Sequence, residues 1–281
     1  MQKVKAFLKP MQWKQIQLRI NKVLGVKTAK GGRGNSRIPT MQSSLETLVR
    51  YGVDVKAVID IGILNGTPPL MEVFPHVKQY LFEPVEFHLE EIRKQYQGLN
   101  YELFNIALSD KDGDAFLIGR SVDHGDTITH SSISDTPVGR NEDSCVLVCN
   151  KIRQAKLDSV LDEVEIESPF LLKIDVDGHE LPILRGAEKS LKKASIVVIE
   201  APLQKRALPQ LLERYQHMLG QGFVLFDIVD FAYYDGILWQ VDLIFVRQDI
   251  VNDNEMLRPF ETKSFIFNRE LWYPLTREHY S

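Results

Sequence analysis

The stretch Leu171-Leu-Lys-Ile-Asp-Val-Asp-Gly-His-Glu-Leu-Pro-Ile-Leu-Arg-Gly186 constrains this chain more than any other. It opens as a short apolar run, the mark of a strand buried on both faces. Two aspartates, a glycine, a histidine and a glutamate follow, and then an apolar-periodic helix begins. Strand, charged corner, helix is where an open α/β sheet holds its ligands, just beyond the carboxyl ends of the strands. A strand tip does not need Lys173, Asp175, His179 and Glu180 together in order to fold, so their crowding predicts a site.

A second corner of this kind lies upstream. Ala57-Val-Ile-Asp-Ile-Gly-Ile-Leu-Asn-Gly66 reads as a buried strand carrying Asp60, then a turn built on Gly62 and Gly66. The next helix is predicted to start with Thr67 as N-cap and Pro68 in the first helical position. The following strand, Gln79-Tyr-Leu-Phe-Glu83, ends in an acid and then Pro84. An acid there, roughly 20 residues beyond the glycine turn, suits the two hydroxyls of a ribose. The ligand is therefore read as a nucleoside. A dinucleotide site wants G-x-G-x-x-G to hold a pyrophosphate, and this turn reads Asp60-x-Gly62-x-x-x-Gly66 instead. A leading acid repels phosphate but attracts the amino group and sulfonium of S-adenosylmethionine.

These residues also carry a family resemblance. Ile59-Asp-Ile-Gly, Phe82-Glu-Pro84, Ala107-Leu-Ser-Asp-x-x-Gly113, Ser131-Ser132, Lys156-Leu-Asp-Ser-Val-Leu161 and Leu172-Lys-Ile-Asp-Val-Asp-Gly-His-Glu180 occur in that order. Together, from about Val55 to Val246, they resemble the FkbM family of S-adenosylmethionine-dependent methyltransferases. The resemblance implies a class I methyltransferase (Rossmann-like) fold: an α/β sheet, open and mostly parallel, with a C-terminal antiparallel hairpin and helices on both faces. It also implies methyl transfer, mostly to hydroxyls of sugars, glycans or polyketides. One departure is visible. Ile63-Leu64 stand where the family commonly has Ala-Asn, which bears on hydrogen bonding to the methionine end of the cofactor.

Charge is unevenly spread. Met1 to Thr40 contains ten Lys or Arg and no acid, which offsets −14 in the remainder to leave a net charge of −4. Met11 to Val26 is spaced for an amphipathic helix, and Lys27 to Pro39 reads as a Gly-, Ser- and Lys/Arg-rich linker. Such an arm can lie on an anionic membrane surface, grip an acidic partner, or pack on its own domain or a sister subunit. No apolar run approaches the ~18 residues of a membrane span, and no secretory signal is recognised. The two cysteines, Cys145 and Cys149, fall on one strand about 13 Å apart, too far for a disulfide. A cytoplasmic protein, peripheral at a membrane if the arm docks there, is the expectation. No nucleic-acid partner is expected.

The pattern divides the chain into a basic arm (1–40), a catalytic domain (41–250) and a C-terminal tail (251–281) that packs back on the domain. Predicted elements are helix 42–51, strand 57–61, helix 68–74, strand 79–83, helix 86–97, strand 101–105, helix 157–163, strand 170–175, helix 180–193, strand 195–200, a helix from Leu208 through Leu219, and strands 223–229 and 240–246 joined through Asp235-Gly236. Alternating strands and helices argue a parallel sheet. Asp114 to Cys149 breaks the rhythm with strand-like ends around a polar middle, and reads as a mobile lid or acceptor-binding loop.

The expected cofactor residues are Asp60, Gly62, Gly66, Glu83, Pro84, Asn105 and Ala107. Asp60 would balance the cofactor's positive end, or else cap the next helix. Asn105 and Ala107 would sit against adenine. Asp175, at the tip of the fourth main strand, is the first choice to orient or deprotonate an acceptor hydroxyl. Lys173 shares its face two residues back. Glu180 and His179 complete the catalytic candidates, and Glu200 is expected in the acceptor pocket. No metal site is expected, although Asp175 and Glu200 are the pair that would share a divalent ion. The competing readings are a nicotinamide-dependent oxidoreductase and an inactive cofactor-binding scaffold.

Overall fold

The computed structural model describes residues 39–64, 66–121, 128, 130–139, 145–204 and 208–257. The expectations for the basic arm and for most of the C-terminal tail fall outside them.

The main sheet has seven strands: β1 (Ala57–Ile61), β2 (Lys78–Phe82), β3 (Tyr101–Phe104), β8 (Phe170–Ile174), β9 (Ala194–Pro202), β10 (Phe223–Tyr234) and β11 (Ile237–Arg247). Their spatial order is β3-β2-β1-β8-β9-β11-β10. The first five are mutually parallel, and β11 enters antiparallel between β9 and β10. The chain starts in the middle of the sheet, works outward to β3, and returns to the other side of β1 with β8. The reversal of strand order at β1 and β8 opens a crevice at their carboxyl ends. This is the class I methyltransferase architecture, with its late antiparallel hairpin.

Helices cover both faces because the strands alternate two apolar sets. Ile59, Ile61, Leu172, Ile174, Val197 and Phe245 belong to one core, under α5 (Glu180–Arg185), α6 (Glu188–Leu191) and α7 (Leu208–Gly220). Val58, Leu171, Ile196, Val198 and Ile244 belong to the other, under α1 (Met41–Arg50) and α2 (Pro68–Val73). All five β1 residues and all five β8 residues are buried, so Asp60 and Lys173 are carried into the interior by strands that must be covered on both sides.

Several elements differ from expectation. The helix foreseen over 86–97 is a 3₁₀ turn, Glu86–His88, followed by α3 (Leu89–Gln95). The helix foreseen over 180–193 breaks into α5 and α6 at Gly186, where an added Cβ would stand 2.0 Å from the Ser109 carbonyl oxygen. Asp158, on α4 (Leu157–Glu163), then restarts the helix by accepting from the backbone N–H groups of Lys189 and Ser190. The final hairpin is much longer than expected. Asp235 and Gly236 take φ of +48° and +75°, the conformation of a tight turn whose twist matches the strands it joins.

The strand-like ends of the interval 114–149 are strands, and part of its polar middle forms a further strand. β4 (Ala107–Leu108), β5 (Gly113–Arg120), β6 (His130–Ser134) and β7 (Val146–Ala155) form a second sheet in the order β4-β7-β5-β6. Ala115, Leu117 and Ile118 of β5 are buried. Cys145 and Cys149 are not joined in a disulfide. Among the described residues no helix is long and apolar enough to cross a membrane.

Candidate active site

At the β1–β8 crevice lies a cavity of about 370 Å³, within the range of small-molecule sites. Its floor is the β1 turn, one wall is the end of β2, and Ser131, Ser132 and Ile133 of β6 face it from the second sheet.

Gly62 makes the floor possible. It has φ of +77°, and a Cβ there would lie 1.8 Å from the Asp175 carbonyl oxygen. The Asp175 N–H donates to the Ile61 carbonyl at 3.0 Å and the Gly62 N–H to the Phe82 carbonyl at 3.1 Å. Three strand tips are thus locked around one glycine. Gly66, at φ +132°, closes the turn by donating to the Ile63 carbonyl. Ile63 turns into a small core with Leu81, Ile92 and Tyr96. Leu64 takes a left-handed φ of +55° and remains half exposed at the cavity. The departure from Ala-Asn therefore fills a core with one side chain and lines the cavity with the other.

Glu83 is buried at the cavity wall. One carboxylate oxygen accepts from the Leu64 N–H at 3.0 Å, the other from the Val85 N–H at 2.9 Å. Burial pushes its pKa up, and these N–H groups pull it back. Each oxygen retains a lone pair. The carboxylate therefore fixes the glycine turn and can still receive two hydroxyls. Pro84 and Ala107 line the cavity as well. Asn105 lies outside the lining, where its amide donates to the Glu83 carbonyl at 2.8 Å.

Asp60 is fully buried beneath the floor, outside the cavity lining. Lys173 pairs with it across the β1–β8 register, Nζ to Oδ1 3.4 Å, and reaches Asp175 Oδ2 at 3.2 Å. Burial raises the Asp60 pKa, and Lys173 opposes that. For Lys173 burial acts downward, yet Asp60 and Asp175 together outweigh it and hold the ammonium well above its ordinary range. Asp175 is the half-exposed end of this chain of charges, and it lines the cavity with Lys173, Asp177 and His179.

His179 Nε2 lies 3.0 Å from Ser109 Oγ, and burial lowers its pKa. The lowered pKa favours the neutral ring, which already has a hydroxyl partner. Glu180 is turned away from the cavity. It accepts from the Gly178 N–H at 3.0 Å and pairs with the buried Arg214 of α7. Glu200 lies next to the site rather than in the cavity lining, opposite Asp242 in the β9–β11 register and bonded to Gln240. Burial, then the neighbouring Asp175, push Glu200 up to about 9 and Asp242 to about 7. Among the described residues no cluster of three or more His, Cys, Asp or Glu is arranged to hold a metal.

Three participants escaped the sequence reading. Tyr96 donates to Asp60 Oδ2 at 3.4 Å and accepts from the Thr67 N–H at 3.3 Å. Thr67, the expected N-cap, makes no side-chain capping bond. A lone tyrosine in a helix carries no sequence mark of such a role. Arg214 did carry one: it shares the inward stripe of Leu211, Tyr215 and Met218, where an arginine needs a buried partner. Asp242 stood in an apolar strand, and its register with Glu200 was not legible.

A family model described as Methyltransferase FkbM domain matches residues 69–225. The Hexuronic acid methyltransferase AglP of Haloferax volcanii is 35% identical over 43 residues, spanning 15% of this chain and 18% of that relative. Among solved structures, a precorrin-6y C5,15-methyltransferase from Geobacter metallireducens GS-15 aligns at TM-score 0.40 and 13% identity, covering 73% of this chain and 86% of that one. An rRNA methylase from Streptococcus thermophilus aligns at TM-score 0.42 and 14% identity, covering 73% and 93%. The family match spans more than half of the chain and includes the strand-tip block, and the chain belongs to the FkbM family of S-adenosylmethionine-dependent methyltransferases.

Proposed function

We propose that this methyltransferase acts on a hydroxyl of a sugar, a glycan or a related natural product, with Asp175 as the group that meets the acceptor. The observation that carries this reading is the pairing of Asp175 with buried Lys173 at the wall of the cavity. The FkbM membership and the short match to a hexuronic acid methyltransferase support the substrate class.

The residues present fit the cofactor. Gly62 and Gly66, both at positive φ, form the turn that floors the cavity, and Glu83 offers two carboxylate oxygens at the β2 tip, suited to a ribose diol. Pro84 and Ala107 supply apolar walls for the base. Asn105 acts one step back by holding the Glu83 backbone. Asp60 also acts from beneath, as the fixed counter-charge of Lys173. When bound, S-adenosylmethionine supplies an electrophilic methyl group for in-line displacement.

A hydroxyl is a weak nucleophile near neutrality. An Asp175 carboxylate oxygen accepts its hydrogen bond, aims its lone pair and takes its proton. Lys173 fixes the carboxylate, and is itself fixed by Asp60. Glu180 shapes the corner through Gly178, with Arg214 holding Glu180 in place. His179 is the alternative base at the same corner. Replacing Asp175 by Asn tests the assignment: methyl transfer should fall by roughly 10²–10⁴-fold with little change in affinity for S-adenosylhomocysteine.

A further inference from the structure

The long β10–β11 hairpin has a tip that the catalytic cavity does not use. Gln240 pairs with Pro202, the last residue of β9, and the Trp239 carbonyl accepts from the Leu203 N–H at 2.8 Å, so Ile237, Leu238 and the facing end of β10 project beyond the neighbouring strand. They do so at the same edge as Asp175, because β8, β9 and β10 all end there while β11 begins there. Tyr233 is 64%, Tyr234 70% and Trp239 43% exposed. Tyr234 and Trp239 stand with ring centroids 5.5 Å apart, which sets two adjoining apolar faces in open solvent. From Phe223 to Val246 there are four aspartates and no Lys or Arg. Between this tip and Asp175 lie Glu200, Asp242 and Gln240, the last bonded to Glu200.

Order along the edge is set by the sheet. β8, β9, β11 and β10 are successive neighbours, three spacings or roughly 14 Å from first to last. A ligand with one hydroxyl at Asp175 that also touches the tip must reach that far. Its middle must offer hydroxyls to carboxylates and an amide, and its far end must present a flat apolar face. The hairpin's own sequence, with four aspartates and no Lys or Arg, disfavours phosphate-rich ligands and anionic lipid surfaces. Tyr and Trp provide apolar faces with a polar handle.

We infer that the hairpin tip, through Tyr234 and Trp239, is a remote acceptor subsite that stacks on an uncharged ring of a saccharide chain whose terminal ring is methylated beside Asp175. This deepens the proposed function and rests on it. The acceptor is then a chain of several rings, with Gln240, Glu200 and Asp242 taking hydroxyls of the intervening ring.

The test uses the full chain with S-adenosylhomocysteine on an array of immobilised neutral saccharides from single rings to long oligomers. Uronate-bearing saccharides, cationic peptides and anionic phospholipid vesicles are separate arms. Wild type should be retained on the longer neutral saccharides more strongly than on single rings. The Tyr234→Ala/Trp239→Ala variant should lose about tenfold on the longer ones, with unchanged retention on single rings and unchanged affinity for S-adenosylhomocysteine. Equal retention of variant and wild type on the longer saccharides overturns the subsite and leaves the proposed function standing. A variant defect confined to peptides or vesicles overturns it in favour of another partner. Failure of wild type to bind any saccharide overturns both.

Discussion

Gly62 and Asp175 touch through their backbones: the space for a Gly62 side chain is already filled by the Asp175 carbonyl oxygen, 1.8 Å from where a Cβ would be. The glycine turn and the Asp175 corner are therefore one mechanical unit, joined also by the Asp175 to Ile61 hydrogen bond. Gly62→Ala must separate the β1 and β8 tips as well as strain a positive φ. It should weaken S-adenosylhomocysteine binding by at least about 2 kcal/mol, in the range of the larger single-site effects, as measured by calorimetric titration. Gly222 also has positive φ (+80°) but open space around it. Gly222→Ala should cost about 1 kcal/mol of stability and leave binding unchanged.

Glu83 holds two backbone N–H groups of the cavity wall. Glu83→Ala removes both the proposed ribose acceptor and the brace on Leu64. S-adenosylhomocysteine affinity should fall by about 1–3 kcal/mol, the range for lost hydrogen bonds to a charged group. Asn105→Ala, which touches only the Glu83 carbonyl, should show a smaller loss in the same titration.

Lys173 is buried between two aspartates. Lys173→Met leaves Asp60 as an uncompensated buried acid and should destabilise the fold by about 3–5 kcal/mol. Adding Asp60→Asn should recover most of that stability in denaturant unfolding. Activity should stay low in the double variant, because Asp175 has lost the ammonium that fixes it. Recovery of activity along with stability would remove Lys173 from the catalytic description.

Asp242 and Glu200 have folded pKa values raised to about 7 and about 9, above those of free carboxyls. The folded state thus binds their protons more tightly than the unfolded state. Their contribution is fully present below the free-carboxyl range and declines as pH rises through 7 and then 9. Asp242→Asn should therefore stabilise more at alkaline pH than at pH near 5. A relief of about 1 kcal/mol would raise the thermal midpoint by roughly 2–4 °C. Equal shifts at both pH values would show that Asp242 does not titrate as described.

The central sheet was readable because its strands are short apolar runs ending in charge. β1 was predicted over its observed span and β2, β3 and β8 within one residue of theirs, and the order of their acidic tips pointed to the nucleoside crevice. Elements set by distant contacts were less legible. The helix breaks at Gly186, where Ser109 and Asp110, just past β4, pack against it, and no local pattern records that neighbour. Within the polar interval after Asp114 only β6 was hidden, because His130-Ser-Ser-Ile-Ser134 carries a single apolar residue. Within the site, Glu180 read as a catalytic acid because its partner, Arg214, lies 34 residues away on another helix. Asp60 is expected at the cofactor, and only its complete burial reveals the counter-charge of Lys173 beneath the floor.

The most direct test of the account is the fate of a labelled methyl group. Purified full-length protein is incubated with methyl-labelled S-adenosylmethionine and the saccharide fraction of a cell extract, alongside Asp175→Asn, and the products are hydrolysed and identified by mass spectrometry. The account predicts label recovered as an O-methyl sugar, with yield from Asp175→Asn lower by roughly 10²–10⁴-fold. Label confined to nitrogen or carbon acceptors, or a variant that labels sugar at the wild-type rate, would contradict it.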